Sequence, residues 1–178
     1  MKKLAILILL ALELAVCGCG SSNSSSTTTT TETSGTWEVQ LTGGTAEASK
    51  LNFVTSFTVT NSGPLTITGF SFINDGACFA NGVNGSTESG SATLVTSSTD
   101  AVTGTLSFTV TSVTPAGNTL ALTGNLTGTS SGTTTTTGTL SGGVVSGTWT
   151  LTGGQGDSSC TGSGTFVMCQ GTNTCTVI

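Results

Sequence analysis

Six cysteines, eight carboxylates and no histidine set the chemistry open to this 178-residue chain. Cys78, Cys160, Cys169 and Cys175 lie in the body of the sequence. An even set of this kind in an exported domain reads as two disulfides. Cys169 and Cys175 stand close together around Gln-Gly-Thr-Asn-Thr and would staple a C-terminal hairpin, which leaves Cys78 for Cys160. Zinc is the rival use of four cysteines, but the sequence offers neither a C-x2-C pair nor a histidine. Asp75 stands three residues before Cys78, and Asp157 three before Cys160. A bridge holding the two Cα atoms at about 5.5 Å would bring both carboxylates to one rim with Asn74, Asn81 and Asn84. Oxygen-rich loops of this kind can hold Ca²⁺. Asp and Asn are equally the residues that turns select for backbone reasons.

Catalysis is poorly supplied. Without His there is no Ser-His-Asp triad and no imidazole metal ligand. Without Arg or Tyr, common oxyanion and phosphate clamps are missing as well. The remaining route is a carboxylate pair of the glycosidase type, for which Asp75 and Asp157 are the sole candidates, so a glycan hydrolase is a minor reading. A non-enzymatic domain without cofactor or metal is the expectation. The only cations are Lys2, Lys3 and Lys50, so the chain beyond Cys19 sets one Lys against seven carboxylates. That balance argues against nucleic acid and against anionic membrane surfaces.

The first twenty residues carry an address. Met1-Lys2-Lys3 is a short basic head, and Leu4 to Leu12 is an unbroken apolar run. Such a run is too short to span a bilayer, which needs about 20 residues, but it suits a secretory signal. Leu14-Ala15-Val16-Cys17-Gly18-Cys19 resembles the lipobox of bacterial lipoproteins. Cys19 is the preferred lipid acceptor because Gly18 supplies the small residue at the cleavage position. Cys17, preceded by Val16, is the alternative. Resemblance to lipoproteins implies a membrane anchor, and Gly20 in place of an aspartate implies the outer membrane. The domain would then face either the periplasm or the exterior. Residues 1–18 would be the signal, and 19–35 a lipidated Cys with a Ser/Thr-rich tether. A flexible chain of this length spans about 22 Å. A glycosylated stalk is the other use of such a tract.

Residues 36–178 read as one all-β domain. Apolar residues alternate with Thr and Ser from Trp37 onward, and turn residues interrupt every 8–15 positions. Trp37/Val39/Leu41, Leu51/Phe53/Phe57/Val59 and Val102/Leu106/Phe108/Val110 are examples. Leu65/Ile67 and Phe70/Phe72 fall on opposite parities, and a bulge at Gly69 would restore them to one face. Gly104, Gly124, Gly138, Gly147 and Gly164 share the parity of their apolar neighbours. Inward glycines let strands coil sharply and backbones approach. The expected fold is therefore a single antiparallel up-and-down meander of about 8–10 strands closing as a barrel, with a β-sandwich as the alternative.

Gly35-Thr36-Trp37 resembles the G-x-W of lipocalins and the opening of avidin-type barrels, which implies a small-ligand carrier in an eight-stranded barrel. The Arg that packs on the lipocalin Trp and the polar Tyr/Asp/Trp set of avidins have no counterparts here. Thr58-x-Thr60, Thr66-x-Thr68, Thr109-x-Thr111 and Thr148-x-Thr150 resemble the T-x-T ladders of flat ice-binding sheets, though Thr is also the ordinary polar strand former. The leading expectation is a monomeric, membrane-tethered envelope domain that binds a partner or serves as a coat. A calycin-like carrier of a small apolar ligand is the alternative: a hollow interior would favour it, and a filled one the envelope role.

Overall fold

The computed structural model describes residues 31–44, 50–79, 85–113, 117–131, 138–154, 159–171 and 175. The strands are β1 (Thr31–Thr33), β2 (Thr36–Thr42), β3 (Asn52–Thr60), β4 (Ser62–Pro64) and β5 (Thr66–Asn74), then β6 (Ser86–Thr96), β7 (Ala101–Ser112), β8 (Thr119–Ser131), β9 (Gly138–Thr152) and β10 (Gly162–Gln170). No α-helix occurs among the described residues. Period-two alternation sorts each long strand into an inward apolar face and an outward Thr/Ser face. In β7, Val102, Leu106, Phe108 and Val110 are buried, while Thr103 and Thr105 are exposed.

β1 and β2 lie along the same edge of β3 in one continuous register, with Glu32 opposite Thr60 and Thr36 opposite Ser56. Only Leu65 separates β4 from β5, yet β4 pairs with β6 and β5 with β3. Counted by path, the chain makes eight strands, each antiparallel to its sequence neighbour, and the last, β10, pairs with β2. The sheet is a closed barrel, not a sandwich. A tighter five-strand circuit, β1–β3–β2–β10–β9, closes through a short parallel pairing of β1 with β9, where Thr31 faces Gly138. This parallel pair departs from the expected meander. It arises because β10 ends at Gln170, and β1 takes its place beside β9.

The expected bulge is present. Ser56 pairs with Gly69 but Phe57 with Ile67, so Thr68 is the extra residue, and Ile67, Phe70 and Phe72 all pack on the core. Strand β9 bends at Gly142, whose φ of 61° lies in the region that glycine occupies without a Cβ penalty. On one side of that bend β9 pairs with β1; on the other it pairs with β10. The interior is filled by side chains from all around the wall. Phe53 and Phe108, on strands that do not pair, stack with centroids 5.7 Å apart, and Trp37 stacks on Phe57 at 5.3 Å.

Several inward glycines sit where neighbouring backbones come close. Gly124 pairs directly with Gly147, and a Cβ on Gly147 would overlap the Thr123 carbonyl oxygen and the Gly124 Cα. Gly69, by contrast, faces outward, and a Cβ there would meet Ser56 Cβ at an ordinary 3.6 Å. Gly147→Ala should therefore cost about 1–3 kcal/mol, because backbone atoms cannot step aside. Gly69→Ala should stay within about 0.5 kcal/mol. Urea unfolding of the two variants checks the contrast.

Candidate functional site

The two ends of the barrel concentrate the polar and covalent chemistry. At one end lie the segments after β5, β7 and β9. Here Cys78 is bonded to Cys160, with Cα atoms 5.5 Å apart. The bond ties the segment following β5 to the segment preceding β10, as the sequence pairing anticipates. Phe79, beside the bridge, is buried and stacks on Phe72 at 4.8 Å.

Asn118 organises this end. It is fully buried, its Nδ2 donates to the Cys78 carbonyl at 2.8 Å, and its Oδ1 accepts from the Gly154 amide at 2.7 Å. Its own carbonyl accepts from Ser112 N at 2.8 Å. One side chain thus joins three inter-strand segments near the disulfide. In the sequence, Pro115-Ala116-Gly117-Asn118 reads simply as a turn, because the partners of Asn118 are backbone groups delivered from distant parts of the chain.

Asp75, the first candidate carboxylate, acts within a turn. Its Oδ1 accepts from Ala77 N at 3.3 Å, and its carbonyl accepts from Cys78 N at 3.1 Å. Asn74 does the same for Gly76 N at 3.0 Å. These bonds hold Gly76 and Ala77 at positive φ, 57° and 60°. Asp157, Asn81 and Asn84 lie outside the described residues, so the proposed shared rim is seen from the Asp75 side alone. Among the described residues, no group of three metal-ligating side chains comes together.

At the opposite end, Cys169 is bonded to Cys175, the second expected pair, with Cα atoms 5.6 Å apart. Cys175 Sγ lies 3.5 Å from the Glu38 carbonyl oxygen, so the staple reaches from β10 onto β2. Gln170 completes the seam. Its Nε2 donates to the carbonyls of Ser34 at 2.8 Å and Leu140 at 3.0 Å, and its Oε1 accepts from Gly143 N at 3.1 Å. Asn61, at φ 57°, binds Thr31 through both backbone N–H and side-chain oxygen. Asn61 opens the Asn61-Ser62-Gly63-Pro64 stretch, which reads as a turn, whereas Gln170 has no sequence signal beyond its residue type.

Thr31–Thr33 is a strand within the stretch that composition assigns to the tether. Thr31 and Thr33 are fully buried. This end also holds side-chain groups without a hydrogen-bond partner among the described residues: Thr33 Oγ1, Ser130 Oγ and Trp37 Nε1. Each such group costs about 1–3 kcal/mol when kept from water. Cys17 and Cys19 lie outside the described residues.

The outer wall is uncharged over a wide area, since strands β7 to β10 contain no charged residue at all. A lateral row runs Ser91, Ser107, Thr123, Thr148, Thr165 and Thr42 through successive pairings. Neighbouring hydroxyls in it bond to one another, as in Ser91–Ser107 at 3.0 Å and Thr42–Thr165 at 2.7 Å. The row follows the wall of a closed barrel, whereas the ice-binding resemblance calls for a flat sheet. Trp37 of the Gly35-Thr36-Trp37 motif is fully buried at the seam end, where its ring tip sits against Gly143.

Two measurements probe the stapled end. Replacing Cys78 and Cys160 together by Ala should lower stability by up to about 4–5 kcal/mol, given a loop of 82 residues. Asp75→Asn should change stability by less than about 0.5 kcal/mol, and millimolar Ca²⁺ should move Tm by less than about 2 °C. A tight Ca²⁺ site would raise Tm by roughly 5 °C at a hundredfold excess over Kd. Scanning calorimetry with and without Ca²⁺ separates the two.

No protein-family model, curated protein or solved structure matches this chain.

Proposed function

We propose that the protein is a lipid-anchored envelope lipoprotein whose β domain works without catalysis, as a binding or coating module held close to the outer membrane. The observation that carries this reading is a doubly disulfide-bonded closed barrel beginning at Thr31, a short distance after the lipobox cysteine Cys19. Two structural disulfides in a small domain fit an oxidising compartment, and the lipobox-type leader supplies a route to one. The chain between Cys19 and Thr31, if flexible, has a root-mean-square span of about 19 Å, so the barrel would stay near the bilayer. Stable attachment follows from acyl chains contributing about 0.8 kcal/mol per buried methylene, with two or more chains needed.

The uncharged hydroxyl wall suits neutral partners, such as glycan or protein surfaces that offer hydrogen bonds but little charge. The carrier reading is weaker because aromatic side chains meet across the barrel axis: Phe108 touches Phe53, Phe57 and Phe70 at centroid distances of 5.7, 6.4 and 6.3 Å. A filled interior of this kind favours the outer surface over the inside as the place of contact. The hydrolase reading draws only on Asp75, whose carboxylate is engaged with the Ala77 amide.

The anchor is tested by labelling expressing cells with a fatty-acid probe. Cys19→Ala should abolish label and leave an uncleaved precursor, while Cys17→Ala should still acylate. Label lost only with Cys17→Ala would move the acceptor to Cys17. Absence of label from the unmutated protein would remove the lipid anchor from the proposal.

A further inference from the structure

We propose that β1 is a displaceable strap over a polar seat at the seam end, and that the barrel opens there before it opens anywhere else. A strand normally resists removal because it buries apolar side chains. β1 buries two threonines instead, Thr31 and Thr33. It is held by two residue pairings to β3 and two to β9, together with the paired bonds from Asn61 to Thr31 and a hydroxyl contact between Thr31 and Thr96.

The seat beneath it is polar and closely built. Thr31 faces Gly138, and a Cβ on Gly138 would overlap Ser130 Oγ. Ser130 in turn pairs with the buried Leu140, the next inward residue of β9 after Gly138. Thr33 Oγ1 on the strap and Ser130 Oγ in the seat both lack a partner among the described residues. Closing β1 therefore withholds water from two hydroxyls without replacing their bonds, and lifting it restores hydration to both. Such a balance places β1 at the low-stability end of the fold.

Position gives the strap its consequence. In sequence, Thr31 directly follows the segment that leads back to Cys19, so a pull on that segment reaches β1 first. Ser34 and Gly35 separate β1 from β2; Gln170 holds the Ser34 carbonyl, and beyond it the Cys169–Cys175 bond secures the seam. β1 can thus lift while β2 stays paired with β10. At the far end, the Cys78–Cys160 bond and Asn118 oppose any matching movement.

Amide hydrogen exchange on the intact chain tests this. The Asn61 amide, which donates to Thr31 O, and the amides of residues 31–33 should exchange at least about 100-fold faster than hydrogen-bonded amides between β2 and β10. Thr33→Val and Ser130→Ala each remove one unpartnered hydroxyl. Either should slow Asn61 exchange by roughly tenfold. Protection at Asn61 equal to that across β2 and β10 would overturn the proposal. So would Asn61 exchange that neither variant slows.

Discussion

An up-and-down meander has two open edges, its first and last strands, and each carries a row of backbone groups that must find partners. Here the edges satisfy one another. β2 and β10 pair from Trp37–Gln170 to Thr42–Thr165. Once that seam closes, most inward side chains are enclosed, and the alternation along each strand acquires a single meaning. The rest of the structure serves the closure. Gln170 bonds three backbone groups around the end of β10, and Cys175 brings its staple against Glu38 of β2. Strand β9 bends at Gly142 so that it can serve β10 along one stretch and β1 along the other.

Closure also dictates composition. A narrow barrel filled by seven-carbon and larger side chains such as Trp37, Trp149, Phe53 and Phe108 needs places where the wall itself comes close. The paired Gly124 and Gly147 provide one such place. Gly164 provides another, where a Cβ would meet Trp149 Nε1 at 2.8 Å, and that indole donates to the Thr42 carbonyl at 3.1 Å. On the outside, strand propensity without charge leaves Thr and Ser, whose hydroxyls bond laterally from strand to strand. The domain therefore has a wall that is uncharged from β7 to β10 and two chemically distinct ends: one cross-linked and packed around Asn118, the other polar and joined to the leading segment.

Much of this is legible in the sequence because it depends on local pattern. Alternation places Val102, Leu106, Phe108 and Val110 inside; parity places Gly104, Gly124 and Gly147 with them; and elimination pairs Cys78 with Cys160. The bulge beside Gly69 follows from the parity change between Ile67 and Phe70. What escapes is decided by distant chain. Thr31 and Thr33 look like the Ser/Thr tract before them, and only the slot between β3 and β9 makes them a buried strand. Asn118 and Gln170 are ordinary polar residues until remote carbonyls and amides converge on them. Asp157 lies outside the described residues, so the two-carboxylate rim is represented by Asp75 in its turn.

The functional account depends on the barrel being closed and filled, since that directs attention to its outer wall and its ends. Nuclear Overhauser contacts in the isotopically labelled protein test closure most directly. A closed barrel predicts inter-strand backbone contacts at both joins of the circuit: Val39 with Met168 and Leu41 with Phe166 between β2 and β10, and Thr31 with Gly138 between β1 and β9. Contacts confined to sequence-adjacent strands, with none between β2 and β10, would describe an open sheet or sandwich and contradict the account.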